Sequence, residues 1–206
     1  MSDRLFDRVA LIGIGLIGSS LARVLRRDSP GTSIVACARR AETLATVRRL
    51  AIADETTDDP AQAAEGADLV VIATPLSAYA EIGERIAPAL KEGAILTDVG
   101  SVKQAVIRDL GPHVPEGVHF VPGHPVAGTE HSGPEAGFAE LFRDRWCILT
   151  PLPETAGEAV LEILQRFSED LTALQRAIRW GEGDKLQELF TRTRAIRRSI
   201  IEAKQA

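Results

Sequence analysis

Apolar positions along this chain alternate between two rhythms. Short, nearly unbroken apolar runs predict strands buried on both faces over 8–14, 33–37, 68–73, 94–98, 118–121 and 146–150. Between them, apolar residues that return every three or four positions predict helices over 17–27, 41–50 and 77–90. A shorter helix is expected within 56–64, capped by Asp58 or Asp59, and another opens after Gly100. The turn cluster Asp28-Ser29-Pro30-Gly31 stops the first helix, and Gly93 closes the one before the fourth run. Such alternation predicts a parallel sheet with helices on both faces, with the run at 146–150 completing it. Ligands of such sheets bind at the C-terminal ends of the strands. That places Thr74, Pro75 and Leu76, and the stretch Asp98-Val99-Gly100-Ser101, beside the ligand.

Beyond Pro153 the rhythm becomes purely helical. Val160, Leu164, Phe167, Leu171, Leu174 and Ile178 form a heptad-like stripe. Gly181-Glu182-Gly183-Asp184 breaks it, and Leu186, Leu189, Phe190, Thr193, Ile196 and Ile200 form a second. The chain therefore reads as a first domain over 1–153 and a C-terminal α-helical hairpin over 154–206. A hairpin this short does not bury two stripes alone. It packs either on the first domain or on a second copy, and a homodimer is the favoured reading.

The first strand ends in Gly13-Ile14-Gly15-Leu16-Ile17-Gly18, and a helix follows at once. Gly-x-Gly-x-x-Gly between a strand and a helix is the dinucleotide fingerprint of a Rossmann-type, doubly wound, mainly parallel sheet. Gly13 permits the turn, Gly15 lets backbone approach a pyrophosphate, and Gly18 lets helix and strand pack closely. The helix N-terminus, with Leu16 and Ile17 in its first turn, offers free N–H groups to the phosphates. An NAD site of this kind carries an acid about 20 residues beyond the glycines, to bind the ribose 2′-hydroxyl. Here that place falls near Ala38, followed by Arg39 and Arg40. Guanidinium groups there suit a 2′-phosphate, which favours NADP while leaving NAD possible.

Two further stretches carry chemistry. Ser101 opens a helix after a strand, where it is either an N-cap or a hydroxyl offered to a substrate. Pro122-Gly123-His124-Pro125-Val126-Ala127-Gly128-Thr129-Glu130 holds a histidine in a loop of restricted backbone freedom, and histidine can take a proton near neutral pH. A metal cluster is the alternative for His124, but no carboxylate or cysteine spacing supports one, so no metal is expected.

Composition narrows the classes. With 206 residues, 45% hydrophobic and 26% charged, the chain can build one full domain and a smaller appendage. A net charge of −5 gives no general pull toward nucleic acid or anionic membrane. The basic positions Arg192, Arg194, Arg197 and Arg198 are interleaved with Glu188 and Glu202, so they carry little weight as a nucleic-acid site. Cys37 and Cys147 lie in no C-x-x-C pair and are expected to be buried small residues. No apolar run is long enough to span a membrane, and Met1-Ser2-Asp3-Arg4 leads directly into the first strand. A cytoplasmic protein acting on a small molecule is the expectation.

Taken together, Gly13-Ile14-Gly15-Leu16-Ile17-Gly18-Ser19-Ser20, Asp98-Val99-Gly100-Ser101-Val102-Lys103 and Gly123-His124-Pro125-Val126-Ala127-Gly128-Thr129-Glu130 resemble the prephenate/arogenate dehydrogenase family of tyrosine biosynthesis. The resemblance runs from about 6 to 153 and again from about 159 to 206. It implies oxidation of prephenate or arogenate with NAD or NADP and loss of the ring carboxylate as CO2. The product would be 4-hydroxyphenylpyruvate or tyrosine. It also implies roles. His124 would take the proton of the substrate hydroxyl, Ser101 would hold that hydroxyl and the histidine in line, and Glu130 would order the pocket. Thr74 and Pro75 would lie along the cofactor.

The sequence departs from the family in one respect. Full members carry a second helical domain with a Ser-His-Leu-Pro-His-type motif and an arginine for a substrate carboxylate, and neither is found by motif here. Two rival readings follow: a cofactor-binding module that no longer catalyses, and a related small reductase of imines or β-hydroxyacids. The histidine loop argues against the second.

Overall fold

A computed structural model describes residues 6–152. The chain divides into two compact units, Met1–Thr155 and Ala156–Ala206, and the described residues lie in the first. The expected helical hairpin over 154–206 lies outside the described residues.

Six parallel strands form the sheet: β1 (Arg8–Ile12), β2 (Ser33–Cys37), β3 (Glu55–Thr57), β4 (Leu69–Ile72), β5 (Ile95–Asp98) and β6 (His119–Phe120), in the order β3-β2-β1-β4-β5-β6. The order reverses between β1 and β4, where Val9 pairs with Leu69 and Ile12 with Ile72. Five helices connect the strands: α1 (Leu16–Asp28), α2 (Ala41–Arg49), α3 (Pro60–Ala64), α4 (Tyr79–Ile86) and α5 (Lys103–Leu110).

The period of two along each strand sends alternate residues to opposite faces. Val9 and Leu11, with Ile34, Ala36 and Val71, pack under Ala22 of α1 and Val47 of α2. Ala10 and Ile12, with Val70, Ile72 and Leu96, pack under Ala63 of α3, Ile82 and Ile86 of α4, and Val106 and Leu110 of α5. Both faces are covered, so the unbroken apolar runs are explained and the doubly wound, Rossmann-type fold holds. No helix among the described residues is long and apolar enough to cross a membrane.

Four local expectations are refined. The first strand stops at Ile12 rather than 14, because Gly13 turns the chain with φ +96°. Asp59, not Asp58, caps α3, accepting a hydrogen bond from the Ala61 N–H at 3.0 Å. The connection before it contains β3, a short edge strand. The helix expected over 77–90 is α-helical only from Tyr79 to Ile86 and continues as a 3-10 turn over Ala87–Ala89, where Pro88 has no N–H to give to the ladder.

Two expectations are corrected. The run at 146–150 does not complete the sheet. Its core, β8 (Cys147–Leu149), pairs antiparallel with β7 (Gly123–Pro125) as a separate two-stranded ribbon. The last ladder bond on this strand is from the Val121 N–H to the Leu96 carbonyl at 2.9 Å; the next donor, the Gly123 N–H, turns to the Asp98 side chain, and Pro125 has no N–H to give, so the chain leaves the sheet there. The β8 side of the ribbon is exposed: Trp146, Ile148 and Leu149 keep 82%, 52% and 55% of their surface. Cys147 sits on this ribbon and is exposed as well, against the expectation of two buried cysteines, while Cys37 in β2 is buried.

Candidate active site: a cleft at the sheet's turning point

Two glycines of the β1–α1 turn answer to the protein's own packing, and the third does not. A Cβ on Gly13 would stand 2.6 Å from the backbone of Ala73, at the end of β4. A Cβ on Gly18 would stand 2.1 Å from the Gly13 carbonyl oxygen, so α1 can rest on the turn only without one. The Gly13 N–H donates to the Cys37 carbonyl at 2.9 Å, which ties the turn to β2. Gly15 is different. It is the N-cap of α1, its backbone is extended (φ −75°, ψ −155°), and a Cβ there would meet nothing within 4 Å. No side chain caps this helix. The open space over Gly15, together with the orphan N–H groups of the first turn of α1, fits a dinucleotide pyrophosphate.

That space is part of a cleft of about 480 Å³. Among the expected residues, Gly13, Gly15, Arg39, Arg40, Thr74 and Pro75 line it. Leu16, Ile17 and Gly18 do not; they form the first turn of α1 beneath it. Arg39 and Arg40 are exposed at its rim. The Thr74 hydroxyl oxygen is buried without a hydrogen-bond partner among the described residues, a group left for a ligand to satisfy.

Several lining residues were not anticipated. Thr43 of α2 and Asp58 after β3 face the same cleft as the arginines, and Glu81 and Arg85 of α4 face it from the other side. Arg85 is engaged with Asp59 at 3.0 Å. Gly133 and Pro134 also line the cleft. They are brought there by a segment strapped onto the first two helices. Arg23 donates to the Pro134 carbonyl at 3.2 Å, Arg49 pairs with Glu135, and the Phe138 N–H donates to the Ser20 hydroxyl at 3.1 Å. Position after β3 was the available signal for Asp58; the strap depends on contacts 86 to 118 residues apart and left no local trace. Cys37 also lines the cleft, but burial, assisted by the charge of Asp59, pushes its thiol up to about 12, so it is not a nucleophile there.

The second motif stands outside the cleft lining. His124 is the middle residue of β7 and is half-buried; its Nδ1 is buried without a partner among the described residues. Ser101 is exposed, and it does not cap α5: Val102 holds the N-cap position, with no side-chain cap. Glu130 is exposed in the loop after β7.

The serine turn and the histidine strand meet through Asp98, the last residue of β5. Its carboxylate accepts the Gly100 N–H at 2.7 Å and the Gly123 N–H at 3.1 Å, and Lys103 Nζ lies 2.7 Å from both oxygens. Lys103 also donates to the Gly123 carbonyl. The Tyr79 hydroxyl donates to the Ile72 carbonyl at 3.2 Å and lies 3.4 Å from Asp98; burial first, and then the Asp98 charge, push its pKa well above the usual phenol value. Among the described residues, no three His, Cys, Asp or Glu side chains gather as metal ligands would.

A six-stranded parallel sheet with a glycine turn opening a cleft at its reversal point is a dinucleotide-binding domain. Its sequence matches the prephenate dehydrogenase nucleotide-binding domain over residues 21–175, and the chain belongs to that family. The cyclohexadienyl dehydrogenase of Zymomonas mobilis is 41% identical over 164 residues, which are 80% of this chain and 56% of that one. Prephenate dehydrogenase of Aquifex aeolicus, solved with hydroxyphenyl propionate and NAD+, superposes with a TM-score of 0.68 at 30% identity, covering 80% of this chain and 57% of that chain. An arogenate dehydrogenase from Synechocystis gives 0.66 at 31% identity, covering 80% and 56%. The chain spans about half the length of the curated relatives it matches.

Proposed function

We propose that this chain forms the cofactor-binding and proton-accepting part of an NAD(P)-dependent dehydrogenase that oxidatively decarboxylates prephenate or arogenate. The observation that carries the reading is the opening over Gly15: a glycine that neither backbone angle nor packing demands, at a helix N-terminus inside the cleft. When bound there, the nicotinamide supplies the hydride acceptor. Gly13, Gly15 and the first turn of α1, including Leu16, Ile17 and Gly18, hold the pyrophosphate. Thr74 gives its unsatisfied hydroxyl to the cofactor, and Pro75 walls the cleft.

His124 stands on the strand that Asp98 ties to the C-terminal end of β5, the sheet edge on which ligands of this fold bind. Its imidazole accepts the proton of the substrate's ring hydroxyl as the carbon beneath loses its hydrogen with the bonding electrons. Ser101 holds that hydroxyl in line, and Glu130 orders the loop behind it. Breaking the bond to the ring carboxylate releases CO2, its electrons complete the aromatic ring, and the ring oxygen takes back the proton held by His124.

NADP is the preferred cofactor in this reading. Arg39 and Arg40 are exposed at the cleft rim and make no ion pair among the described residues, so both are free for a 2′-phosphate. The apolar stripes within 154–206 support a homodimer, and the acidic, membrane-neutral composition supports a cytoplasmic protein; sedimentation of the purified chain tests the first. A second reading, a cofactor-binding module without turnover, is favoured by one observation: Ser101 and Glu130 are exposed and outside the cleft lining. Reduction of NADP or NAD followed at the nicotinamide absorbance, with prephenate and with arogenate, separates the two. Turnover supports the dehydrogenase; cofactor binding without turnover supports the module.

A further inference from the structure

We propose that Asp98 and Lys103 form a buried positioning clasp that fixes the distance between Ser101 and His124. The inference rests on the dehydrogenase reading for the roles of those two residues, and on geometry for the clasp.

Each oxygen of one carboxylate holds a different loop. Oδ2 of Asp98 accepts the N–H of Gly100, the residue before Ser101, at 2.7 Å. Oδ1 accepts the N–H of Gly123, the residue before His124, at 3.1 Å. Lys103 Nζ closes the arrangement, 2.7 Å from both oxygens and donating also to the Gly123 carbonyl. The Gly123 peptide is therefore gripped at its N–H by the acid and at its carbonyl by the base. Both glycines leave the grip little spare room: a Cβ on Gly100 would stand 3.0 Å from Oδ2, and a Cβ on Gly123 would stand 3.0 Å from the Asp98 carbonyl oxygen.

Nothing in the sheet itself asks for this pair. Asp98 is 2% exposed, and its side chain is fully buried, on the same face of β5 as the buried Leu96. Burying an ion pair is costly unless every remaining hydrogen-bonding position is filled, and an apolar pair of equal volume usually serves stability as well or better. Here the filled positions are the two loop peptides that carry the proposed reacting side chains. β7 has left the parallel sheet: the last ladder bond before it is from the Val121 N–H to the Leu96 carbonyl, and from Gly123 on the clasp ties it to β5 beside its pairing with β8. Asp98 and Lys103 touch neither substrate nor cofactor in this account. They are positioning residues, and an error of about 1 Å in a reacting group is enough to lose about a hundredfold in rate.

The test uses the full chain and the variants Lys103→Met, Lys103→Arg and Asp98→Asn. In Lys103→Met the clasp predicts a fall of about a hundredfold in kcat, with KM for the nicotinamide cofactor unchanged and partial rescue in Lys103→Arg. The double variant Lys103→Met with Asp98→Asn should lose little more than either single variant, because the two act as one unit. A purely structural pair would lower Tm and leave the kcat of the folded protein intact, which would overturn the proposal. Amide hydrogen exchange provides an arm that needs neither turnover nor a folded variant. In the wild-type chain the Gly100 and Gly123 amides should be protected and open together. Free exchange of either one overturns the clasp. Absence of turnover in the wild-type chain would count against the dehydrogenase reading alone, and the exchange result would still decide the clasp.

Discussion

The glycine turn follows β1 and the histidine strand is tied to the C-terminal end of β5, yet they are held by opposite means. The turn is local and self-contained. Gly13 and Gly18 fit only because they lack side chains, and the contacts that demand this lie within the turn or on the adjacent strand β4. The histidine strand is held from a distance. β7 pairs with the exposed strand β8 in a separate ribbon, and it is tied to β5 by a carboxylate 25 residues earlier in the chain. A half proposed to bind cofactor is built from backbone sterics and needs little else to form. The half proposed to react is built from tethers, and two of its members, Ser101 and Glu130, are exposed.

The contrast can be broken at either region. The largest effect is expected at the tethered half: His124→Asn should lower turnover by about 10²–10⁴-fold while cofactor affinity stays within about twofold. Equal turnover in that variant, measured by nicotinamide absorbance, removes the proposed proton acceptor. At the self-contained half, Gly18→Ala places a methyl group 2.1 Å from the Gly13 carbonyl oxygen. It should cost about 3 kcal/mol in urea unfolding, since neither backbone can yield without the other. A smaller and more selective change is expected at the rim. Replacing Arg39 and Arg40 together by alanine should weaken NADP binding by about tenfold or more and leave NAD binding nearly unchanged. Parallel losses for both cofactors would assign the arginines to some other role.

The smallest expected signal is chemical. With its thiol pushed up to about 12 by burial, Cys37 stays protonated in the native protein at pH 8, whereas an unfolded thiol is partly ionised there. A thiol reagent should therefore modify one cysteine, the exposed Cys147, and reach Cys37 only on unfolding. The same shift means that Cys37 contributes stability fully present below the unfolded thiol's pKa and lost as pH rises toward 12. Rapid native labelling at both positions would contradict the burial of β2 beside the cleft.

How much of this was legible in the sequence follows the same divide. The strand–turn–helix at Gly13 could be read because its determinants lie within a few residues, and the arginines after β2 could be read because the sheet fixes where the second strand ends. The run Trp146-Cys147-Ile148-Leu149 has the composition of a core strand, and composition alone cannot show that its partner is an antiparallel strand on an exposed ribbon. Ser101 stood in the right place for a helix cap, but α5 begins one residue later than a cap there would require. Asp98 and Lys103 lay in plain view within the serine motif. Their task depends on the Gly123 peptide, which only the fold brings to them.

The most direct test of the central claim is calorimetric titration of NADP and NAD into the wild-type chain and into Gly15→Ala. Because a Cβ there meets no protein atom within 4 Å, the substitution should change folding stability by less than about 1 kcal/mol. It should also weaken cofactor binding by about tenfold or more, since the methyl group occupies the space assigned to the pyrophosphate. Binding by the wild-type chain that is lost in a normally folded Gly15→Ala variant is the result the account predicts. Wild-type protein that binds neither cofactor, or a variant that binds as well as wild type, would contradict it.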